Sequence, residues 1–471
     1  MQLAIGNYGK VHSIYLNPSL PGYSKFKWQV NLAGFWVNAN NNYLSLHMPY
    51  SVYKIPNRIP PNYKTESGNP QFDKFWLREH LNGRPKHISV SSDVYGPSAS
   101  VSIKSWSFGF FSQASAGIRV SKLPENLAHA IWYEFDSAQG AFSQFNATQN
   151  SGQSFMNAFN ISGNSRINLG INVAKSFELD WQRQVLFGIN LKKVWGLPGF
   201  YFKSDAISVN SQFQDSLIFS PGKFQLISYG EEMGNGWGSD IGISYIFNKK
   251  SFKRNGNYSK TRTEYFAKLG FSILDIGRIK YQDATYREVS LNETTGISTN
   301  TSNFNSIKQS DNYQLIADSF LRQFSNFSQY QSNINIGLPT RIMLSGDFQF
   351  RKNVFVSSII SQSLRKRSSE HNRYQNFLMV SPRYESRFFE ISVPAMLEYD
   401  YRSLRIGTSL RIGPVYIGSN NLASFIYTRG FRDVDLFAGI AFGNFNAKSF
   451  KKQTKQKRKK HSTQKQNCGI F

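Results

Sequence analysis

The chain has 471 residues, of which 8 Trp, 24 Tyr and 40 Phe make an aromatic fraction of 15%, while only 18% are charged and 55 Lys and Arg face 29 Asp and Glu for a net charge of +26. So many aromatic residues exclude disorder for most of the chain, and the charged fraction falls below the ~25% usual for soluble domains. The single cysteine, Cys468, excludes a disulfide framework and any cysteine-built zinc or iron–sulfur centre.

The opening, MQLAIGNYGK, shows neither the basic n-region nor the apolar h-region of a secretory leader, so an exported protein would have its start upstream of Met1. Asn17–Pro18 predicts a turn just before the first strand. From there the pattern has a period of two. Phe26, Trp28, Val30 and Leu32 alternate with Lys25, Lys27, Gln29 and Asn31. Ile167, Leu169, Ile171 and Val173 alternate with Arg166, Asn168, Gly170 and Asn172. Val185, Phe187, Ile189 and Leu191 form the next stripe, then Tyr265, Ala267, Leu269, Phe271 and Ile273. Later stripes are Ile342, Leu344, Phe348 and Phe350; Leu404, Ile406, Leu410 and Ile412; and Leu436, Ala438, Ile440 and Phe442. Successive side chains of a strand point to opposite faces, so each stripe is one face of one strand.

These stripes are longer than the ~5–6 residues of ordinary strands and close to the ~9–11 of a tilted membrane-spanning strand. With weaker candidates, among them Tyr43–Val52, Ile88–Val94 and Trp237–Phe247, they predict about fourteen strands. No run approaches the ~18 apolar residues of a transmembrane helix. Short connections (Gln182 to Gln184, Arg351 to Asn353, Asp400 to Arg402) contrast with long ones (Ser121–Ser165, Ser204–Asn235, Ser290–Pro339). Short turns at one end and long outward loops at the other characterise outer-membrane barrels. Helices are predicted in two long loops, over Pro124–Phe135 and along the Tyr313, Ile316, Phe320, Phe324 face. Aromatics near strand ends (Trp28, Tyr43, Trp106, Trp195, Tyr281, Tyr399, Phe442) suit interfacial girdles. The predicted fold is therefore all-β: a closed antiparallel transmembrane β-barrel of about 14 strands over residues 1–443, with long extracellular loops carrying short helices.

Residues 444–471 hold nine Lys and Arg and no acid, which leaves +17 on the rest. This basic C-terminal tail reads as disordered, either solvated or in contact with anionic lipid or polyanion. Its last four residues, Cys468-Gly469-Ile470-Phe471, match a prenylation box only formally, and a free thiol is the better reading.

Chemistry-bearing patterns are few. GNGWGSDIG has the glycines of a phosphate loop but neither its register nor a following Lys-Ser/Thr and helix; glycines at a strand kink or barrel corner fit better. The seven histidines stand singly, without ligand spacing, and no G-x-S-x-G elbow occurs, so neither an enzyme nor a metal or cofactor site is expected. Basic residues are spread along the chain, which argues against nucleic acid.

If the apolar stripes face lipid, the opposite positions point inward, because a charge facing hydrocarbon at the midplane would cost ~2–4 kcal/mol. The candidate lumen-lining residues are then Lys27, Arg166, Lys192, Lys268, Arg341, Asp347, Arg351, Arg405 and Arg411, with Asp435. Two interiors fit: an open cationic lumen that favours anions, or a plugged one in which Arg and Asp pair.

Six segments in order resemble an uncharacterised family of outer-membrane β-barrels, a domain of unknown function related to fatty-acid-porin-like and type IX secretion-associated barrels. They are YGKVHSIYLNPS with Asn17–Pro18; LNGRPKHISVSSDVYGPSAS with Gly96–Pro97; GNGWGSDIGISY with Gly236–Trp237–Gly238; ILDIGRIKY with Asp275 and Gly277; LPTRIMLSGDFQF with Pro339; and LRIGPVYIGS with Gly413–Pro414. The resemblance implies residence in the bacterial outer membrane among its lipids. It also implies work as a transporter or channel, or as an accessory to secretion or surface attachment with partners from those systems. The alternative from another class is a soluble or surface-exposed β-rich protein that binds polyanions.

Overall fold

The structure is a computed structural model. It describes residues 2–51, 59–64, 76–125, 128–129, 132, 158–180, 182–205, 209–213, 216–219, 221–248, 265–298, 321–322, 324, 326–366, 373–422 and 429–445. Alternation and β-branched or aromatic content give strands along almost the whole body. Fourteen of them form a ring: β1 (Phe26–Asn41), β2 (Lys86–Tyr95 with Ser98–Ile103), β3 (Trp106–Leu123), β4 (Phe159–Glu178), β5 (Arg183–Gly196 with Gly199–Asp205), β6 (Gly222–Tyr229 with Gly234–Asn248) and β7 (Tyr265–Leu291). The ring continues through β8 (Phe327–Gly337 with Arg341–Arg351), β9 (Val354–Ser363), β10 (Phe377–Glu385), β11 (Phe389–Ser392 with Ala395–Glu398), β12 (Ser403–Ile406 with Thr408–Ile412), β13 (Val415–Ser419) and β14 (Asp433–Phe445). Each pairs antiparallel with its chain neighbours, and β1 closes the ring on β14 from Phe26↔Phe445 to Asn40↔Asp433.

Five strands are built from two pieces with a break of two or more residues. Four of these breaks contain proline (Pro97, Pro198, Pro339, Pro394), which has no N–H to give to a ladder. Side chains take up the carbonyls freed there. Asn31 Nδ2 donates to the Gly96 oxygen at 3.1 Å, Tyr281 Oη to that of Leu197 at 3.2 Å, and Arg365 Nε to that of Leu338 at 3.0 Å. The remaining break, in β6, turns at Gly230, whose φ of 95° suits glycine.

The outward side chains are apolar: Phe187, Ile189 and Ile171 are 50%, 56% and 54% exposed. Among the described residues no helix is long and apolar enough to cross a membrane. A closed ring with an apolar exterior crosses it with strands instead, since closure leaves no unpaired edge in hydrocarbon. Both chain ends of the ring lie at one end of the barrel, with the tight turns at Lys104–Ser105, Lys352–Asn353 and Gly413–Pro414. The opposite end carries most of the long connections, residues 249–264 between β6 and β7 excepted, and two small sheets, Leu44–His47 with Leu77–Glu79 and Arg429–Phe431, and Val209–Phe213 with Ser216–Phe219 and Thr295–Ser298. That end faces outward.

Several expectations are corrected. The candidate strand Tyr43–Val52 is only Leu44–His47 and lies outside the ring. Parts of the expected loops are strand: β8 begins at Phe327, and β6 begins at Gly222. The short turn Tyr399–Arg402 joins β11 to β12 at the outward end, among the long connections. Tyr43, Tyr281 and Tyr399 are buried rather than girdle residues, whereas Trp28, Trp106 and Phe442 face out. Backbone at Glu125, Ala128, His129 and Trp132 is helical, as expected of Pro124–Phe135. Of the second predicted helix only Phe324 lies within the described residues. β14 runs to Phe445, two residues past the expected boundary, and the tail beyond it lies outside the described residues.

A charge placed among the outward apolar residues measures the lipid contact. Ile189→Arg should destabilise the barrel by about 2–4 kcal/mol in a lipid-vesicle unfolding titration; no loss of stability would mean this face does not meet hydrocarbon.

Candidate functional site

Residues 2–23 do not lead up to the barrel; they fill its inner end. They form one α-helical turn (Gln2–Ile5) and two 3-10 turns (His12–Tyr15, Leu20–Gly22), and most of their side chains are buried. Ala4, Ile5, Leu16 and Leu20 pack on inward apolar residues of the ring, among them Leu274, Met343, Ile359 and Met379. A segment with so little internal secondary structure leaves carbonyls unpaired, and the wall supplies the donors. Lys268 Nζ donates to the Ile5 oxygen at 2.6 Å, Gln29 Nε2 to Tyr8 at 3.0 Å, Asn190 Nδ2 to Ile14 at 3.2 Å, Ser272 Oγ to Leu16 at 2.8 Å and Asn172 Nδ2 to Pro18 at 2.9 Å. In return Asn7 donates its backbone N–H to Glu385 Oε2 at 3.1 Å and its amide to Oε1 at 2.9 Å.

Asn17–Pro18, expected as a turn before the first strand, is the part of this plug pressed closest to the wall backbone. Asn17 Oδ1 accepts from the Ser19 N–H at 3.0 Å, and its Nδ2 reaches the Ile243 and Phe271 carbonyls at 3.1 and 3.2 Å. Such contact with wall backbone is only open to a wall without side chains. A Cβ on Gly188 would stand 2.2 Å from the Pro18 oxygen, and one on Gly242 2.0 Å from Asn17 Oδ1.

The other motif residues are structural. Gly96–Pro97 and Pro339 break β2 and β8, and Gly413–Pro414 turns β12 into β13 with Gly413 at φ 58°. Asp275 (φ 58°) and Gly277 (φ 148°) bulge β7. Gly236 and Gly238 face inward against that bulge, and Trp237 faces out.

Of the candidate lumen residues, Arg166, Lys192, Lys268, Arg341, Asp347, Arg405 and Arg411 lie buried inside the ring, as does Asp435. Lys27 and Arg351 do not. Each falls at a β-bulge, between Phe26 and Trp28 and between Gln349 and Arg351, where one extra residue upsets the alternation, and both are exposed. The buried cations are mostly paired. Lys192 bridges Asp240 and Asp275 at 2.6 Å each; Arg383 and Lys268 reach Asp347 at 3.0 and 3.5 Å; Arg411 meets Glu390 at 3.2 Å and Arg405 meets Asp433 at 2.9 Å. Sequence reasoning missed Arg383 and Glu385, which anchor the plug, although both sit on inward positions of β10.

Above the plug lies a cavity of about 1510 Å³ of empty space, partly open to solvent. Its floor is the plug (His12, Tyr15, Leu16) and its roof the segment Tyr374–Asn376 with Phe377, the first residue of β10. Phe111, Leu274, Met396, Tyr416 and Phe437 give the lining aromatic and apolar surface, and Asp93, Gln113, Lys192, Asp275 and Arg341 set polar groups among them. Arg341, 6% exposed, lays its guanidinium 4.2 Å over the Tyr374 ring. Among the described residues it has no carboxylate within 4.0 Å and makes no hydrogen bond. Arg166 makes one, from Nη2 to the Tyr374 hydroxyl at 3.0 Å, and no ion pair. No group of three His, Cys, Asp or Glu suited to a metal occurs among the described residues.

Fourteen strands closed on themselves, lipid-facing outside and stoppered from the inner end by the chain's own N-terminus, define an outer-membrane β-barrel with an internal plug. The chain belongs to the family of unknown function DUF5723, whose model matches residues 18–420. Similar solved structures include the Pseudomonas putida toluene transporter TodX, at 11% identity over 93% of this chain and 94% of that one with a TM-score of 0.42. A Pseudomonas aeruginosa FadL homologue matches at 10% identity over 90% and 91% (TM-score 0.39), and the Ralstonia pickettii toluene transporter TbuX at 10% over 91% and 92% (TM-score 0.36). No curated protein matches the chain.

Two expected outcomes probe the plug. Gly188→Val should drive Pro18 off the wall, so that protease added from the inner side cuts the N-terminal segment while the barrel keeps its heat-modifiable migration; an uncut segment would show that the fit is loose. His12, stacked edge-on against Tyr416 at 4.8 Å with Nε2 unpartnered, is lowered by burial to about 4. A released His12 would titrate near its ordinary ~6.5, so docking is strongest above that pH and weakens as pH falls toward 4. Bilayer conductance should rise across that window, and His12→Asn should flatten the rise.

Proposed function

We propose that this barrel passes small amphipathic solutes across the outer membrane through its internal cavity, with residues 2–23 as the gate, and that it performs no covalent chemistry on them. The observation that carries this reading is the cavity itself. It is bounded below by the plug and above by Tyr374–Phe377, and its mixed lining offers aromatic surface beside polar groups. Such a site holds a molecule with an apolar body and a polar end.

The unpaired guanidiniums narrow the class further. A buried Arg whose nearest acids, here Asp93 and Asp275, are not in direct contact has donors to spare, and a guanidinium fork is well matched to a carboxylate or phosphate. Arg341, which lines the cavity and stacks on Tyr374, therefore favours solutes whose polar end is anionic.

Planar-bilayer recording tests both parts. The intact protein should conduct rarely, and a variant lacking residues 2–22 should conduct steadily with anions preferred over cations. Arg341→Ala in that background should lower the anion preference several-fold. A plug-less barrel that stays closed would refute the gate, and one that prefers cations would refute the solute class.

A further inference from the structure

On the outer face of β5, β6 and β7 the side chains change character within one rung. Ile243 and Ile241 of β6, with Ile189 and Leu191 beside them on β5 and Phe271 on β7, form an exposed apolar band. Next toward the outward end comes Lys193–Trp237–Arg278, paired in register across the three strands, and two residues further Trp195–Asn235–Lys280. Arg278 and Lys280 are exposed and Trp237 is 58% exposed. The Lys193 ammonium lies 4.9 Å over the Trp237 ring and donates to Asn235 Oδ1. Among the described residues none of the three cations has a carboxylate within 4.0 Å. The acids of this corner, Glu231, Glu232 and Asp283, lie further from the apolar band, and Asp283 accepts the Glu232 backbone N–H at 2.7 Å.

The depth of this rung follows from strand geometry. Phe247, at the inner edge of the band, and Trp237 are ten residues apart on β6. At ~3.4 Å per residue and a tilt of ~40° this spans about 26 Å, the height of the hydrocarbon-facing belt of such barrels. Lys193, Trp237 and Arg278 therefore stand at headgroup level in the outer leaflet, where an exposed tryptophan is at home. Cations at that depth, on a lipid-facing wall and without acidic partners, meet whatever anion the lipid carries, and in the outer leaflet of a bacterial outer membrane that is the phosphate of a glycolipid.

We propose that this rung is a binding site for a phosphorylated outer-leaflet glycolipid. Arg278 and Lys280 hold the phosphate oxygens, Lys193 is steered toward them by the Trp237 face and Asn235, and the apolar band below takes the acyl chains. Arg is suited to the first role because its planar fork meets two phosphate oxygens at once. The site is independent of the cavity and of the solute reading.

Native mass spectrometry of the detergent-purified protein with bisphosphorylated lipid A tests it. The wild type should retain one lipid A, and K193Q/R278Q/K280Q should bind at least tenfold more weakly. K175Q, which removes a lysine resting 4.6 Å over Trp106 at the opposite rim, should bind as the wild type. Dephosphorylated lipid A should bind both barrels equally weakly, and millimolar inorganic phosphate should not displace the lipid. If the triple variant loses its heat-modifiable migration, R278Q alone must still weaken binding at least threefold. Equal retention by wild type and variant, equal binding of dephosphorylated lipid A, or an equal loss in K175Q would overturn the proposal.

Discussion

The wall of this barrel stands in hydrocarbon, and that single constraint organises the rest. Nothing outside can accept a hydrogen bond, so backbone groups must pair around the ring and polar side chains must turn inward. The interior is then crowded with donors: Asn172, Asn190, Lys268, Ser272 and Gln29 all point the same way. Left to themselves they would be buried and unsatisfied, which costs more than the bonds gain when made. The N-terminal segment answers this demand because it is irregular. Its carbonyls at Ile5, Tyr8, Ile14, Leu16 and Pro18 are free of helix or sheet and are the acceptors the wall needs. Plug and wall are thus two halves of one hydrogen-bonding problem.

Shape follows the same logic. A strand with a side chain at every inward position would leave no room for a plug to touch backbone, so the inward stripe is interrupted by glycines where contact is closest. Gly188, Gly242 and Gly270 lie on three adjacent strands and together form the recess that receives Asn17 and Pro18. The proline breaks act at a larger scale. They interrupt β2, β5, β8 and β11, and the carbonyls at the first three breaks are taken by side chains from neighbouring strands or from the loop after β9, while the Gly407 N–H takes that of Pro394.

Much of this was legible in the alternation of residues, and the failures are instructive. Seven of nine inward positions sit inside the ring because lipid punishes the opposite phase. Lys27 and Arg351 break the pattern at bulges, and a bulge depends on the partner strand, which a single-strand pattern does not contain. Asn17–Pro18 reads as a turn in one dimension and is one, since Ser19 closes it; that it turns against β5–β7 is a fact about packing 170 to 250 residues away. Tyr399 stands at a strand end like a girdle residue and Tyr281 well inside β7, yet both are buried inward. The signal that would have found Arg383 and Glu385 was present, since both share the inward phase of β10 with Ser381. Their role could not be read, because their plug partner Asn7 lies 378 residues from Glu385.

The division of the interior charges bears on how the proposed gate works. Lys192, Lys268, Arg383, Arg405 and Arg411 each have a carboxylate, and two of these pairs, at Asp347 and Glu385, hold the plug's first residues through Lys268 and Asn7. Arg341 and Arg166, on either side of Tyr374, have none within 4.0 Å among the described residues. At ~1 kcal/mol net for each hydrogen bond, the five plug carbonyls bonded to the wall oppose full withdrawal by about 5 kcal/mol before any apolar contact is counted. The anchored part, residues 4–8 and 16–20, is therefore poorly placed to move. Between them His12 and Tyr15 reach the cavity, His12 with a nitrogen left unpartnered and Tyr15 bonded to the Ser112 carbonyl at 3.1 Å. A solute seated on Arg341 would press on this stretch, and a local shift of residues 11–15 with both flanks attached breaks the Ile14–Asn190, Val11–Gln29 and Tyr15–Ser112 bonds but leaves the other four carbonyl anchors in place.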